Sequence, residues 1–193
     1  MDTLDSLRTR KKAATRQSLH EAALRLAMER GLDGVTVEDI ADEVGVSRRT
    51  FSNYFANKED AVLHADRERT RELVSLLEAR PAAEEPWQAL RAACGELYRD
   101  RVIPDREWVA QLRLLRRHPS LLAQQAADQM ALERDLAAVL MARGRGIDEE
   151  SAHLMAATFL AAVRVGSVRW LEGSATRSLH DLVDDLLGRV HLR

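Results

Sequence analysis

The sequence predicts an all-α fold, and three observations predict it. Alanine and leucine abound among 31% charged residues, aromatic residues are only 4%, and no stretch alternates apolar with polar residues as a half-buried strand would. Apolar residues instead recur at three- and four-residue spacings along the chain, bounded by Gly, Pro, Ser, Thr and Asn at helix-ending positions. At 46% hydrophobic over 193 residues, the chain can bury a core without metals or disulfides.

Leu19, Ala22, Ala23, Leu26 and Ala27 form one face of a first helix, which ends near Gly31. Thr36 followed by Asp39 resembles a capping box, and Val37, Ile40, Ala41 and Val44 give the next helix its apolar face before Gly45 ends it. Ser47 caps a third short helix whose Phe51 and Phe55, one turn apart, close a small core over the first two. Asn57 with Asp60 opens a long helix carrying Val62, Leu73 and Leu77, and residues 81–86, between two prolines, are a linker. Beyond it, Trp87, Leu90, Cys94, Leu97 and Tyr98 share a helical period. Pro104 with Asp105 restarts a helix, His118 and Pro119 break it, and a long run over 120–143 reaches a Gly-containing turn. Two helices remain, over about 148–171 and 179–190, for about nine in all. The division expected is 1–60, with a basic N-terminal arm, and 61–193.

Net charge is −2, but its distribution is uneven. Arg8, Arg10, Lys11, Lys12 and Arg16 crowd the N-terminus, and residues 45–58 carry Arg48, Arg49 and Lys58 without an acid. Between them Glu38, Asp39, Asp42 and Glu43 would repel a phosphate backbone, so that helix is expected to present another side. A single cysteine completes no internal disulfide and supplies no zinc cluster. Glu150 and His153 make only half of a di-iron arrangement, and there is no Gly-rich phosphate loop and no Gly-x-Ser-x-Gly elbow. No cofactor, metal or catalytic set is expected. The longest apolar stretch, 154–163, is short for a bilayer, and no apolar leader follows the N-terminal basic cluster, so a cytoplasmic protein without a membrane partner is expected.

A helix, a tight Gly-containing turn and a second helix bearing basic and amide side chains describe a helix-turn-helix that enters the DNA major groove. With Phe51 and Phe55 inward, Arg49 and Asn53 point away from the core, flanked by Arg48, Ser52, Thr50 and Tyr54. Arg suits guanine O6/N7 and Asn suits adenine N6/N7, whereas hydroxyl and ammonium groups suit phosphate oxygens. Spacing alone fits a short amphipathic helix with solvated arginines equally well.

The segment TVEDIADEVGVSRRTFSNYFANKEDAV, residues 36–62, resembles the DNA-binding signature of the tetracycline-repressor (TetR) family. Ile40-Ala41, Gly45-Val46-Ser47, Thr50-Phe51, Tyr54-Phe55 and Lys58-Glu59 carry the resemblance. It implies that Arg48, Arg49, Ser52 and Asn53 touch bases, while Thr36, Thr50, Tyr54 and Lys58 hold phosphates. It further implies a homodimer joined through the two C-terminal helices, with Ala157, Ala161, Ala162 and Gly166 permitting close approach; an ordinary intramolecular core is the alternative. The region around residues 112–115 and 119–121 is similar to the mycofactocin-type branch, which implies an acyl-coenzyme A thioester or another apolar or anionic effector. Candidate pocket residues are Trp87, Cys94, Tyr98, Trp108, Gln111, Leu112, Leu115, Phe159 and Arg164, each of which also fits plain core packing or an ion pair. The resulting expectation is a ligand-released repressor on a palindromic double-stranded operator. A helical adaptor, which would bind no DNA at low salt, and a helical enzyme, which would turn a ligand over, are the alternatives.

Overall fold

A computed structural model describes residues 2–99, 106–115, 117–143, 146–173 and 177–190, with side chains outside 2–6, 106–108 and 113. Ten α-helices and one 3-10 turn make up the described residues, with no strand among them. They are α1 (Asp2–Arg30), the turn Leu32–Gly34, α2 (Val37–Val44), α3 (Arg48–Ser52), α4 (Lys58–Val62) and α5 (His64–Glu78). Then come α6 (Pro86–Arg99), α7 (Arg106–Leu115), α8 (Pro119–Ala142), α9 (Glu149–Glu172) and α10 (Leu179–Gly188).

Two departures from the expected elements have simple causes. The basic N-terminal stretch is not an arm preceding the first helix; it is the first half of α1, because no Gly or Pro interrupts residues 2–30. Arg8, Arg10, Lys11 and Lys12 are therefore exposed on a rigid helix. The long helix opened by Asn57 is two helices, since Leu63 leaves helical geometry at φ −85, ψ 2 and closes α4. That break makes ten helices of the nine expected.

The chain forms two compact units, Met1–Asp66 with Arg106–Gln125, and Arg67–Asp105 with Ala126–Arg193. In the first, the predicted α1 stripe of Leu19, Ala22, Ala23, Leu26 and Ala27 is buried with Leu32, Ile40, Ala41, Phe51, Phe55 and Val62, and Leu114, Leu115 and Leu121 complete the core. The Phe51 and Phe55 ring centroids are 5.7 Å apart. Gly31 and Gly45 take φ 73 and 72, which lets the chain leave α1 and α2 at once. His20 is fully buried, and its Nδ1 donates to the Ala61 carbonyl at 2.7 Å, tying α1 to α4.

In the second unit, α6 contributes Leu90, Ala93 and Cys94, α8 contributes Leu136 and Leu140, and α9 and α10 contribute Phe159, Val183 and Leu187. Arg143 binds the end of α5 and the linker together, its guanidinium donating to the carbonyls of Leu77, Arg80, Pro81 and Glu84. Gly166 allows α9 and α10 of the same chain to meet: a Cβ there would lie 2.7 Å from Val183 Cγ2. That corrects its assignment to a contact between copies. By length and composition α9 could cross a membrane, with a mean hydropathy of 1.3, yet it exposes Arg164 and Arg169 while burying Ala156, Phe159 and Trp170 in the unit's core.

Burial pushes the Cys94 thiol up to about 12, and the charge of Asp184 adds to the shift. The thiolate is the reactive form, so native Cys94 should react with iodoacetamide at least about a hundredfold more slowly than in denatured protein. Mass spectrometry of timed labelling checks this, and equal rates would mean that the α6 seam opens readily.

Candidate nucleic-acid interface

The predicted capping box fixes the start of α2. The Thr36 side chain accepts from Asp39 N at 3.1 Å, while Asp39 Oδ2 accepts from Thr36 N at 2.8 Å and from the Thr36 hydroxyl at 2.6 Å. These bonds, from the hydroxyl first and then the backbone N–H, hold the Asp39 carboxyl below the usual carboxylate range. A depressed carboxyl stabilises the fold above its unfolded value, 3.8, and that contribution fades as pH falls through the folded value. Thr36→Ala should therefore lower the melting temperature by about 2–4 °C at neutral pH. Below the folded value the gap should narrow to the part due to the Asp39 N–H bond, as melts recorded at pH 7 and in acid would reveal.

Three residues after the last of α2, Ser47 caps α3, its Oγ accepting from Thr50 N at 3.0 Å and sharing a hydrogen bond with the Thr50 hydroxyl at 2.8 Å. Phe51 and Phe55 turn inward as predicted, and Arg48, Arg49, Ser52 and Asn53 are all exposed. Thr50 and Tyr54 are half-buried at the margin. Ser52 Oγ donates back to the Arg48 carbonyl at 3.2 Å, and Asn53 ends the helix with its amide exposed. Four of these six side chains are thus exposed and two half-buried.

The remaining two candidates have other partners. Lys58 Nζ donates to the carbonyls of Leu32 and Val35 at 2.8 and 3.0 Å, so its half-buried ammonium holds the 3-10 turn and has at most one N–H left for a phosphate. The Thr36 hydroxyl is likewise committed to Asp39.

Three contacts of arginines on and around these helices are not foreshadowed by the sequence. Arg16 of α1 lies over the Tyr54 ring, 5.9 Å from its centroid. Arg25 pairs with Glu43 at 2.5 Å, and Arg48 pairs with Glu38 at 2.7 Å. The charge pattern predicts that α2 turns a side other than its acids to a phosphate backbone, and Glu38 pairs with the first residue of α3. No spacing rule relates residues in different helices, so the sequence carried no signal for these pairs.

The nine pocket candidates divide between the two units. Trp87, Cys94, Tyr98 and Phe159 belong to the second unit, where the Trp87 and Phe159 rings meet edge to face at 6.4 Å. Trp87 Nε1 donates to the Leu187 carbonyl at 3.2 Å, and Cys94 and Tyr98 border a void of only about 10 Å³ against α10. Gln111, Leu112 and Leu115 belong to the first unit, Leu115 in its core and Leu112 packed against it. Arg164 is exposed on α9 beside Val165 and Val168 rather than interior. The Trp108 side chain lies outside the described residues.

Known proteins agree with this reading at both ends of the chain. Residues 19–65 match the family described as bacterial regulatory proteins, tetR family, and residues 84–191 match the MftR C-terminal domain. The HTH-type transcriptional regulator TcmR of Streptomyces glaucescens is 36% identical over 173 residues, which is 85% of this chain and 76% of that protein. The fold is shared with the fatty acid degradation regulator FadR from Bacillus halodurans at a TM-score of 0.60 and 20% identity, covering 93% of this chain and 97% of that one. It is also shared with Thermus thermophilus FadR, solved in complex with lauroyl-CoA, at a TM-score of 0.54 and 23% identity, covering 92% and 96%. With one match on the helix-turn-helix, a second over most of the remainder and a relative of this identity and coverage, the chain belongs to the TetR family of bacterial transcriptional regulators, with a C-terminal domain of the MftR type.

Proposed function

We propose that this regulator is a homodimeric repressor that occupies a palindromic operator and leaves it when a small molecule binds the C-terminal unit. The observation that carries the reading is the exposed surface of Arg48, Arg49, Ser52 and Asn53, held on an aromatic floor with Thr50 and Tyr54 at its edge. Arg49 and Asn53 supply the forks that read guanine and adenine, and Thr50 and Tyr54 supply hydroxyls for phosphates. Thr36 and Lys58 contribute through shape, one fixing α2 and the other the turn before it. The helical, basic start of α1 adds phosphate contacts.

Entry into successive major grooves requires two α3 helices one DNA turn apart, about 34–36 Å, and α9 with α10 is the pairing we favour for the dimer. An exposed stripe on α9, made of Leu154, Ala161, Val165 and Val168, supports that assignment. The effector class we favour is an acyl-coenzyme A thioester or a similar apolar anion, on the strength of the MftR-type domain and the lauroyl-CoA complex of a protein that shares the fold. Trp87, Cys94, Tyr98, Phe159 and Arg164 are the pocket candidates that share the second unit. Release requires that the ligand bind the non-operator state more tightly, so the chain acts by binding and not by turnover.

Selecting genomic fragments retained by the purified protein tests the reading. Enrichment of a palindrome, and its elution by acyl-CoAs of graded length, is the expected result. Retention of no fragment at low salt would overturn the DNA assignment, and an unchanged complex with every thioester would overturn the effector class.

A further inference from the structure

Arg48 and Arg49 are adjacent at the start of α3 and chemically identical, yet the structure treats them differently. Arg48 Nη1 lies 2.7 Å from Glu38 Oε1, with the two side chains 71% and 52% exposed, while no described acid pairs with Arg49. Glu38 belongs to the first turn of α2, where the helix dipole favours a negative charge and where the neighbouring Asp39 closes the cap. Its carboxylate borders the surface that a polyanion would meet, and an exposed pair of this kind contributes little to folding. The dipole accounts for an acid in this turn, but neither it nor simple attraction to DNA accounts for the pairing of that acid with an arginine of the exposed α3 surface.

Resting on the DNA-binding reading above, we propose that Glu38 is a specificity-determining residue that occupies Arg48 until a base edge replaces it. On random DNA, Arg48 could only exchange one screened carboxylate for one screened phosphate, and the exchange would leave Glu38 bare beside the backbone. The pair therefore stays closed, and Arg48 releases no counterion. A guanine offers two acceptors in one plane to the guanidinium fork, which a single phosphate contact does not, so at the correct base the exchange becomes favourable. The carboxylate set free can then accept from a cytosine N4 amine. Glu38 thus weakens wrong complexes more than the right one, which widens the ratio of affinities without adding a contact.

The test compares wild type, Glu38→Gln, Arg48→Ala and the double variant on the operator recovered by fragment selection and on a short random-sequence duplex, by fluorescence anisotropy across a salt series. Glu38→Gln is expected to tighten random-duplex binding about three- to tenfold at low salt and to steepen the slope of log affinity against log salt by about 0.9, the signature of one more phosphate contact. Operator affinity should change less, so the ratio falls. Both effects should vanish when Arg48→Ala is also present. Glu38→Ala serves as a second variant, and thermal melts of all forms verify folding. Equal tightening on both duplexes, a Glu38→Gln effect that survives Arg48→Ala, or no effect at all would each overturn the proposal. Failure of wild type to bind either duplex is a different result, and it would remove the DNA-binding reading together with this one.

Discussion

Arg49→Ala is expected to lower operator affinity about 10- to 100-fold while leaving random-duplex affinity nearly unchanged, the loss of one bidentate base contact worth about 1–3 kcal/mol. Arg49 is exposed, lies opposite the Phe51 floor and has no described acid to hold it back, so its fork is available from the first encounter. Truncating it leaves no buried group unsatisfied, and stability should stay within about 0.5 kcal/mol. Asn53→Ala should behave alike at an adenine, because Asn53 ends α3 through its backbone N–H, bonded to the carbonyls of Arg49 and Thr50, and not through its amide. Titration of both variants on operator and random duplexes decides the matter. An equal loss on the two duplexes would reassign the residue to phosphate contact.

What the sequence made legible here was local. The caps at Thr36, Ser47 and Asn57, the left-handed Gly45 and the inward aromatic pair each follow from residues within four positions of one another, and each is present in the structure. The outward direction of Arg49 and Asn53 follows from the same short-range geometry. Lys58 marks where that legibility stops: its partners, the Leu32 and Val35 carbonyls, are 26 and 23 residues away in sequence, and nothing at position 58 announces that the ammonium turns inward. The Arg143 clamp and the Glu38–Arg48 pair were invisible for the same reason, as tertiary contacts between side chains whose types alone suggest a solvated face. The pocket candidates show a different limit, since they divide between the two units. Helical spacing correctly placed Leu112 and Leu115 on an apolar face, but it could not say which core that face joins, and α7 belongs with the first unit.

Opposite sides of α9 should answer substitution in opposite ways, and this contrast locates the dimer seam. Leu154, Ala161, Val165 and Val168 are exposed at spacings of seven, four and three residues, a narrow apolar stripe of the kind that packs helix against helix. Val165→Arg with Val168→Arg places two charges on that stripe without touching the intrachain core. The variant should remain folded, sediment as a monomer, and lose about 100-fold or more in operator affinity, since two half-sites are no longer engaged together. Gly166 faces the other way. A side chain there meets Val183 at 2.7 Å and Leu186 at 3.4 Å in the same chain, so Gly166→Leu must push α10 aside, an overpacking cost of about 1–3 kcal/mol. That variant should melt earlier and yet sediment as a dimer wherever it is folded. Sedimentation and melting of both variants separate the alternatives: a folded, dimeric Val165→Arg/Val168→Arg variant would remove the stripe from the interface, and a folded monomer from Gly166→Leu would return the seam to the α9–α10 contact itself.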